Sequence, residues 1–167
     1  LAMMDHPNIA QVLDGGATAT GRPYFVLELV RGVRITEYCD QNNLPTVERL
    51  KLFLQVCHAI QHAHQNGIIH RDIKPSNILI DAGGAIRVAD FGLSKSLEAD
   101  PHLTASGIFM GTPAYSSPEQ IRARDVDFRT DLYSLGATLY ALLTGKPPFS
   151  GEGTETLARI LTEPPEP

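Results

Sequence analysis

The sequence contains no tryptophan and only two cysteines, Cys39 and Cys57, in 167 residues. Two cysteines cannot build the disulfide framework of a small secreted domain, and their separation matches no zinc-binding pattern. Both classes of protein are therefore excluded, and the cysteine content indicates a reducing, cytoplasmic setting.

An excess of positive charge and long apolar runs are also missing. The formal net charge is -5, whereas general nucleic-acid binders are usually basic, so we expect no nucleic-acid partner. The most apolar stretch, LYSLGATLYALLTG at 132–145, carries Tyr, Ser and Thr and is shorter than the about 20 apolar residues that span a bilayer. We expect no membrane segment in this chain, and an anchor elsewhere in the protein stays open.

Hydrophobic residues make up 43% of the chain and charged residues 20%, which is typical of a globular domain. Two strands at 9–14 and 23–30 are separated by the turn-rich GGATATG, and this order predicts a hairpin. Further short β-branched runs lie at 68–70, 78–81 and 85–90. Because strands come first and helices follow, the sequence predicts an α+β fold.

Two long helices are predicted. The first begins at Thr46 as N-cap, runs to Asn66 and is ended by Gly67. The second runs from Arg129 to Thr144. Apolar residues at helical spacing predict one buried face for each: Leu50, Phe53, Leu54, Cys57, Ile60 and His64 in the first, and Leu132, Leu135, Leu139, Leu142 and Leu143 in the second.

The stretch IIHRDIKPSNILID at 68–81 concentrates polar residues between apolar flanks: His70, Arg71, Asp72, Lys74 and Asn77. The flanks indicate burial, and buried charges are costly unless each has a partner. An Asp, a Lys and an Asn at this spacing can place a base, a cation and a metal ligand at one point. Asp90 follows a later strand, and a carboxylate near an amide oxygen is a ligand pair that Mg²⁺ prefers.

Taken together, HRDIKPSN (70–77), DFG (90–92) and SPE (117–119), in that order, resemble the catalytic half of a protein kinase. GTPAYSSPE (111–119) and the segment 127–149 are similar to the substrate-facing loop and central helix of a bacterial-type serine/threonine kinase. The resemblance covers essentially the whole chain. It implies a protein-kinase-like fold in a partial domain: residues 1–30 end the N-lobe and form the hinge, and residues 31–167 form an incomplete, mainly helical C-lobe.

The resemblance also implies roles for the polar residues. Asp72 would accept the proton of the attacking Ser or Thr hydroxyl of a protein substrate, and Lys74 would neutralise charge on the transferring phosphoryl group. Asn77 and Asp90 would hold the Mg²⁺ ions that bridge the phosphates of ATP. His70 would be a packing residue stacked on Phe91, with Gly92 completing the DFG motif. Asp131 would bind backbone amides of the catalytic loop from beneath.

The adenine site and the regulatory elements follow from the same resemblance. Leu27 would be the gatekeeper, the backbones of Glu28 and Val30 would contact the adenine edge, and Leu79 would pack under the ring. Arg71 would bind a phosphate on the activation loop. The residues of that loop to which the resemblance gives roles are the candidate phosphosites Thr104 and Ser106, the substrate-loop residue Thr112, and Glu119, whose family partner is a later Arg.

Several positions depart from the family pattern. Arg34 and Ser76 stand where kinases that prefer basic substrates often carry Glu, so we expect no preference for arginine-rich substrates. The family also uses a Gly-rich loop and a strand Lys, and neither a G-x-G-x-x-G nor a V-A-I-K-like stretch precedes Leu27. We interpret the chain as a fragment of an active kinase with little activity alone. Two alternatives stay open: a pseudokinase-like binding scaffold, and a small-molecule phosphotransferase, although GTPAYSSPE favours a protein substrate.

Two further patterns resemble binding sites but have simpler explanations. GATATGRP at 16–23 nearly fits a phosphate-binding loop, but Arg22 and Pro23 replace the required Lys and Ser/Thr, and a strand follows instead of a helix. His58 and His62 lie one helical turn apart and could bind a metal. No third ligand accompanies them in sequence, so a solvated helix face is the favoured interpretation.

Overall fold

The computed structural model describes residues 5–91, 113–151 and 153–166, and its strands form two small antiparallel sheets. In the first sheet β1 (Val12–Ala17) pairs with β2 (Pro23–Leu27) as the predicted hairpin. The second sheet contains β3 (Gly32–Arg34), β4 (Ile78–Asp81) and β5 (Ile86–Val88), in that spatial order. The predicted strand at 68–70 is wrong, since these residues have no regular structure, and β3 was not predicted.

Helices account for most of the structure after β3. They are α1 (Ile35–Gln41), α2 (Thr46–Gln65), α3 (Pro118–Ile121), α4 (Phe128–Thr144) and α5 (Thr154–Thr162), with 3-10 helices at Pro75–Asn77 and Pro113–Tyr115. The combination of small sheets and helices confirms the predicted α+β class. Within the described ranges, no helix has both the length and the apolar content that a bilayer crossing requires.

The ends of α2 correct one prediction and explain another. Pro45, not Thr46, is the N-cap, because its extended backbone directs its carbonyl to the amides of Glu48 and Arg49. At the other end Gly67 has φ 72° and follows the C-cap residue. The Gly67 amide donates to the His64 carbonyl and the next amide, at Ile68, donates to Ala63, which forms a Schellman motif.

The buried face of α2 differs in part from the predicted one, because Phe53 and Ile60 are buried as predicted but Leu50 and Leu54 are not. Val56 is fully buried, whereas Leu50 and Leu54 are 42% and 55% exposed. Successive residues turn by about 100°, so Leu54 lies on nearly the opposite side of the helix from Val56. In α4, Leu132 and Leu143 are likewise exposed. The residues of α2 that do enter the core are Phe53, Val56, Ala59, Ile60 and Ala63.

The segment before β1 ties the hairpin to the second sheet. Ile9 is 1% exposed and forms a parallel bridge with Val88 of β5. The Val88 carbonyl accepts from the Ala10 amide at 2.9 Å, and the Val88 amide donates to the Asn8 carbonyl at 2.8 Å. The Asn8 side chain also donates to the Ile86 carbonyl. The chain before the hairpin is thus fixed along the edge strand that leads to Asp90.

Two glycines, one at the end of α4 and one in its middle, give a paired stability test. Gly145 has φ 78° and ends the helix, so Gly145→Ala should lower the free energy of unfolding by about 1 kcal/mol. Gly136 lies inside the helix, and an added Cβ there meets no atom within 4 Å. Gly136→Ala should therefore raise the free energy of unfolding by about 0.5–1 kcal/mol. Denaturant titration measures both, and changes of the same sign would contradict this description of the helix end.

Candidate active site

Three of the predicted residues meet in the turn between α2 and β4. The Lys74 ammonium lies 2.8 Å from Oδ2 of Asp72. The Asn77 side-chain nitrogen donates to the same oxygen at 3.1 Å and to the Asp72 carbonyl at 2.9 Å. Asn77 is buried, while the side chains of Asp72 and Lys74 are 31% and 18% exposed. One carboxylate oxygen therefore contacts both a cation and an amide at a solvent-accessible point.

His70 is completely buried and its hydrogen bonds define its tautomer. Its Nε2 lies 3.1 Å from the Ala89 carbonyl, which can only accept, so Nε2 carries the proton. Its Nδ1 accepts from the Asp72 amide at 3.3 Å. Burial lowers the pKa of His70 below its ordinary value, although Asp131 and Asp72 act in the opposite direction. The ring packs against Phe91 with centroids 4.4 Å apart, so a neutral His70 links the turn at 70–77 to the chain that follows β5.

Asp131, in the first turn of α4, binds this turn from below. Its side chain has no exposed surface. Oδ2 accepts from the His70 amide and Oδ1 accepts from the Arg71 amide, both at 2.8 Å. Oδ2 also lies 2.7 Å from Nε2 of His64, which must donate because a carboxylate only accepts. His64 was assigned to the core by its helical spacing, and nothing in the sequence indicated that it bonds to Asp131.

Arg71 has φ 65°, a left-handed conformation that is uncommon for a residue with a side chain. Its amide is held by Asp131, and its carbonyl accepts from Nε2 of Gln120 at 2.7 Å. Gln120 is 2% exposed and was not identified from the sequence. Its neutral side chain gives no charge or metal-ligand signal by which sequence analysis could have found it.

Gln120 and Ser117 form a capping box at the start of α3. The Ser117 amide donates to Oε1 of Gln120 at 3.0 Å, and Oγ of Ser117 accepts from the Gln120 amide at 3.4 Å. The Thr130 hydroxyl donates to Glu119 at 2.7 Å, so the Ser117 hydroxyl donates to Thr130 at 2.8 Å. Burial alone would raise the pKa of Glu119, but hydrogen bonds led by the one from Thr130 hold that pKa below its usual value.

Asp90 is exposed and has φ 57°. The Ala89 amide donates to the Asn77 carbonyl at 2.9 Å. This hydrogen bond holds the residue before Asp90 against the turn at 70–77. The two residues predicted to bind Mg²⁺ therefore lie on chain segments that are bonded to each other.

The predicted hinge residues lie at and after the end of β2. Leu27 pairs with Val12, and the Glu28 amide donates to the Gln11 carbonyl at 2.9 Å. Oε2 of Glu28 lies 3.8 Å from the Arg87 guanidinium, and Leu79 is the register partner of Arg87 in the second sheet. Leu27, Val30 and Leu79 are all half-buried. The second sheet, whose central strand β4 carries Leu79, is thus joined through Arg87 of β5 to the predicted hinge.

Several predicted residues lie outside the described ranges: Gly92, Thr104, Ser106 and Thr112. The histidine pair of α2 lies inside them. The His62 ring contacts His6 with centroids 5.1 Å apart, and His58 is exposed. In the part of the chain that the structure describes, no three His, Cys, Asp or Glu side chains group closely enough to hold a metal ion.

Comparison with known proteins gives a family and close relatives. The sequence matches the protein kinase domain over residues 1–164. It is 40% identical to the serine/threonine-protein kinase PknB of Mycobacterium leprae over 161 residues, which cover 94% of this chain and 26% of that protein. It is 42% identical to the DNA damage-responsive serine/threonine-protein kinase RqkA of Deinococcus radiodurans over 162 residues, which cover 94% of this chain and 24% of that protein. The chain spans about a quarter of the length of the curated relatives it matches.

Removal of the Asp131 carboxylate should be among the most destabilising single changes. In Asp131→Ala two buried amides and the His64 imidazole lose their acceptor, so the free energy of unfolding should fall by about 3 kcal/mol. Asp125 is exposed, and Asp125→Ala should change that free energy by less than about 0.5 kcal/mol. Equal effects of the two substitutions in denaturant titrations would contradict the role of Asp131.

The lowered pKa of His70 predicts a pH dependence of stability. The folded state binds the His70 proton more weakly than the unfolded state, so stability is retained above the unfolded pKa of about 6.5 and is lost as the pH falls below it. One such group contributes a slope of at most about 1.4 kcal/mol per pH unit. In His70→Phe the slope between about pH 6.5 and 5 should be smaller than in the wild type, as measured by denaturant titration at each pH. An unchanged slope would exclude a neutral, buried His70.

Proposed function

Because the chain belongs to the protein kinase family, we propose that the protein carrying it is a serine/threonine protein kinase. It transfers the γ-phosphoryl group of ATP to serine or threonine hydroxyls of other proteins. The observation that carries this proposal is the contact of Asp72 with both Lys74 and Asn77, at 2.8 and 3.1 Å. The two relatives named above are serine/threonine kinases, which supports the same substrate class.

Asp72 orients the attacking hydroxyl and accepts its proton. Its partial exposure allows a substrate to reach it, and Lys74 and Asn77 both contact its Oδ2 atom. Lys74, 2.8 Å from Asp72, would neutralise charge on the phosphoryl group as the hydroxyl oxygen forms its bond to phosphorus and the bond from phosphorus to the ADP oxygen breaks. Such positioned charges are the main contribution that a protein makes to phosphoryl transfer.

Asn77 and Asp90 have the donor atoms that Mg²⁺ requires. ATP would supply the phosphoryl group, and Mg²⁺ bound by these residues would neutralise charge on its phosphate oxygens. The Asn77 amide nitrogen is engaged by Asp72, which leaves the amide oxygen, bonded only weakly to Ser76 Oγ at 3.4 Å, as the metal ligand. The carboxylate of Asp90 supplies the charged oxygens, and its exposure gives the metal access.

The adenine ring is held between the hinge and β4. Leu27 is the gatekeeper, and Leu79 packs against one face of the ring. The Glu28 amide is used within the fold by Gln11, so the hinge contacts are the Glu28 carbonyl and the backbone of Val30. The proposed division between the end of the N-lobe and the C-lobe lies at about residue 30.

Regulation and substrate contact would involve the segment between Asp90 and Glu119. Arg71 would bind a phosphate added to Thr104 or Ser106. Thr112 and Glu119 would belong to the loop that faces the protein substrate, as the resemblance implies. The Arg71 backbone is held at its amide by Asp131 and at its carbonyl by Gln120, which fixes the point from which its side chain projects.

The proposed reaction takes place in the cytoplasm, where ATP is available, as part of a signalling pathway. Both cysteines are free, and burial raises the pKa of the Cys39 and Cys57 thiols, which keeps them protonated. This agrees with a reducing compartment. The partner is a protein with an accessible Ser or Thr rather than a nucleic acid, since the net charge is -5.

Substitution of Asp72 tests the proposed function in the full-length protein. Asp72→Asn removes the proton acceptor without changing its size and should lower kcat for a generic Ser/Thr protein substrate by about 10²–10⁴-fold. The matched control is Asp125→Asn, the same chemical change at an exposed position, which should leave kcat unchanged. Turnover by Asp72→Asn at the wild-type rate would refute the assignment.

The 167 residues alone should behave differently from the full-length protein. They contain no Gly-rich loop and no V-A-I-K-like stretch. The fragment should therefore bind Mg-ATP weakly and phosphorylate little or no substrate. Isothermal titration calorimetry and a radiolabelled phosphate assay measure the two quantities. Robust phosphorylation that Asp72→Asn abolishes would show that these residues suffice, whereas an inactive full-length protein would favour a pseudokinase-like scaffold.

A further inference from the structure

The peptide group between Arg71 and Asp72 is held at both of its polar atoms. Its oxygen, the Arg71 carbonyl, accepts from Nε2 of Gln120 at 2.7 Å. Its N–H, the Asp72 amide, donates to Nδ1 of His70 at 3.3 Å. A peptide group is planar, so fixing these two atoms fixes the plane from which the Asp72 side chain projects.

The donor side of this contact is itself rigid. Gln120 is 2% exposed, and its Oε1 accepts from the Ser117 amide at 3.0 Å. The amide oxygen is thus assigned to the capping box and the amide nitrogen to Arg71, so both ends of the side chain have a defined partner. The Thr130 hydroxyl connects the same cap to α4 through Ser117 and Glu119.

The acceptor side carries a backbone conformation that needs support. Arg71 has φ 65°, and for an L-residue this region is less favourable than the right-handed one by about 1–2 kcal/mol. Asp131 stabilises it through the Arg71 amide, from α4, and Gln120 stabilises it through the Arg71 carbonyl, from α3. The two contacts come from different helices and act on the two peptide groups that flank the Arg71 α-carbon.

We propose that Gln120 is a positioning residue that sets the orientation of Asp72 by holding the Arg71 carbonyl. The capping box of α3 thereby couples residues 113–121 to the turn at 70–77, which carries the proposed base. This inference rests on the proposed kinase function, since it concerns the placement of the proposed base. Gln120 does not contact the reacting atoms, so its effect is on kcat through geometry rather than on chemistry directly.

Gln120→Glu separates this role from that of the helix cap. The carboxylate retains an oxygen for the Ser117 amide but faces the Arg71 carbonyl with an acceptor instead of a donor. In the full-length protein kcat should fall about 10–100-fold at pH 7.5, with little change in KM for ATP. Burial raises the pKa of a carboxyl group, and a protonated Glu can again donate to Arg71, so the loss should shrink as the pH falls toward about 6.

Two control variants test whether the effect and its pH dependence belong to the carboxyl group at position 120. Gln61→Glu makes the same chemical change on an exposed part of α2 and should leave kcat unchanged. Gln120→Met has a similar shape but no polar atoms, so its loss of kcat should not depend on pH. The pH profile is taken as the ratio of variant to wild type, which removes the titration of nearby groups common to both: His64, His70, Glu119 and Asp131.

A second measurement does not depend on activity. Hydrogen exchange of the Asp72 amide, followed by NMR, should be faster in Gln120→Met than in the wild type, because the peptide plane loses one of its two supports. An unchanged exchange rate of the Asp72 amide would overturn the inference about Gln120. So would a kcat within about twofold of wild type for Gln120→Glu at pH 7.5 while Asp72→Asn is inactive, and in that case the proposed function would stand. If Asp72→Asn retains full activity, the proposed function fails, and the exchange rate still decides the role of Gln120.

Discussion

The proposed site depends on the hydrogen bonds that the buried carboxylate of Asp131 accepts. It has no exposed surface, yet it accepts hydrogen bonds from the amides of His70 and Arg71 and from the His64 imidazole. A buried charge is costly, and these three donors offset that cost. The two backbone donors among them also fix the turn at 70–77. The long helix α4 supplies the rigid base, so the positions of Asp72, Lys74 and Asn77 follow from the packing of the helical core.

Around this carboxylate the site consists of two layers with different properties. The lower layer of His64, His70 and Asp131 is mostly buried and sets the backbone. The upper layer of Asp72 and Lys74 is partly exposed and bears the charges that a substrate can reach. A rigid support beneath accessible charged groups is the arrangement that electrostatic catalysis requires, because the groups need not reorganise during the reaction.

Much of this could be predicted because it is local in sequence. The residues from His70 to Asn77 are close along the chain, so their spacing indicated convergence, and the apolar flanks indicated burial. The contributions of His64 and Gln120 could not be predicted, because each depends on which side of a helix meets a distant segment. The same limit applies to Leu50 and Leu54, which share the helical spacing of the correctly predicted Phe53 but are exposed. The cap at Pro45 was missed because its contribution is a backbone direction and not a side-chain hydrogen bond.

We propose that Asn77, in the turn bound by Asp131, and Asp90, which follows β5, together bind the metal of a metal-bound nucleotide. Mn²⁺ can replace Mg²⁺ at oxygen ligands and broadens the NMR signals of nuclei close to it. In the full-length protein, titration with Mn²⁺ in the presence of ATP should first broaden the Asn77 side-chain amide and the Asp90 backbone signals. Selective broadening at His58 and His62, with Asn77 and Asp90 unaffected, would contradict the account.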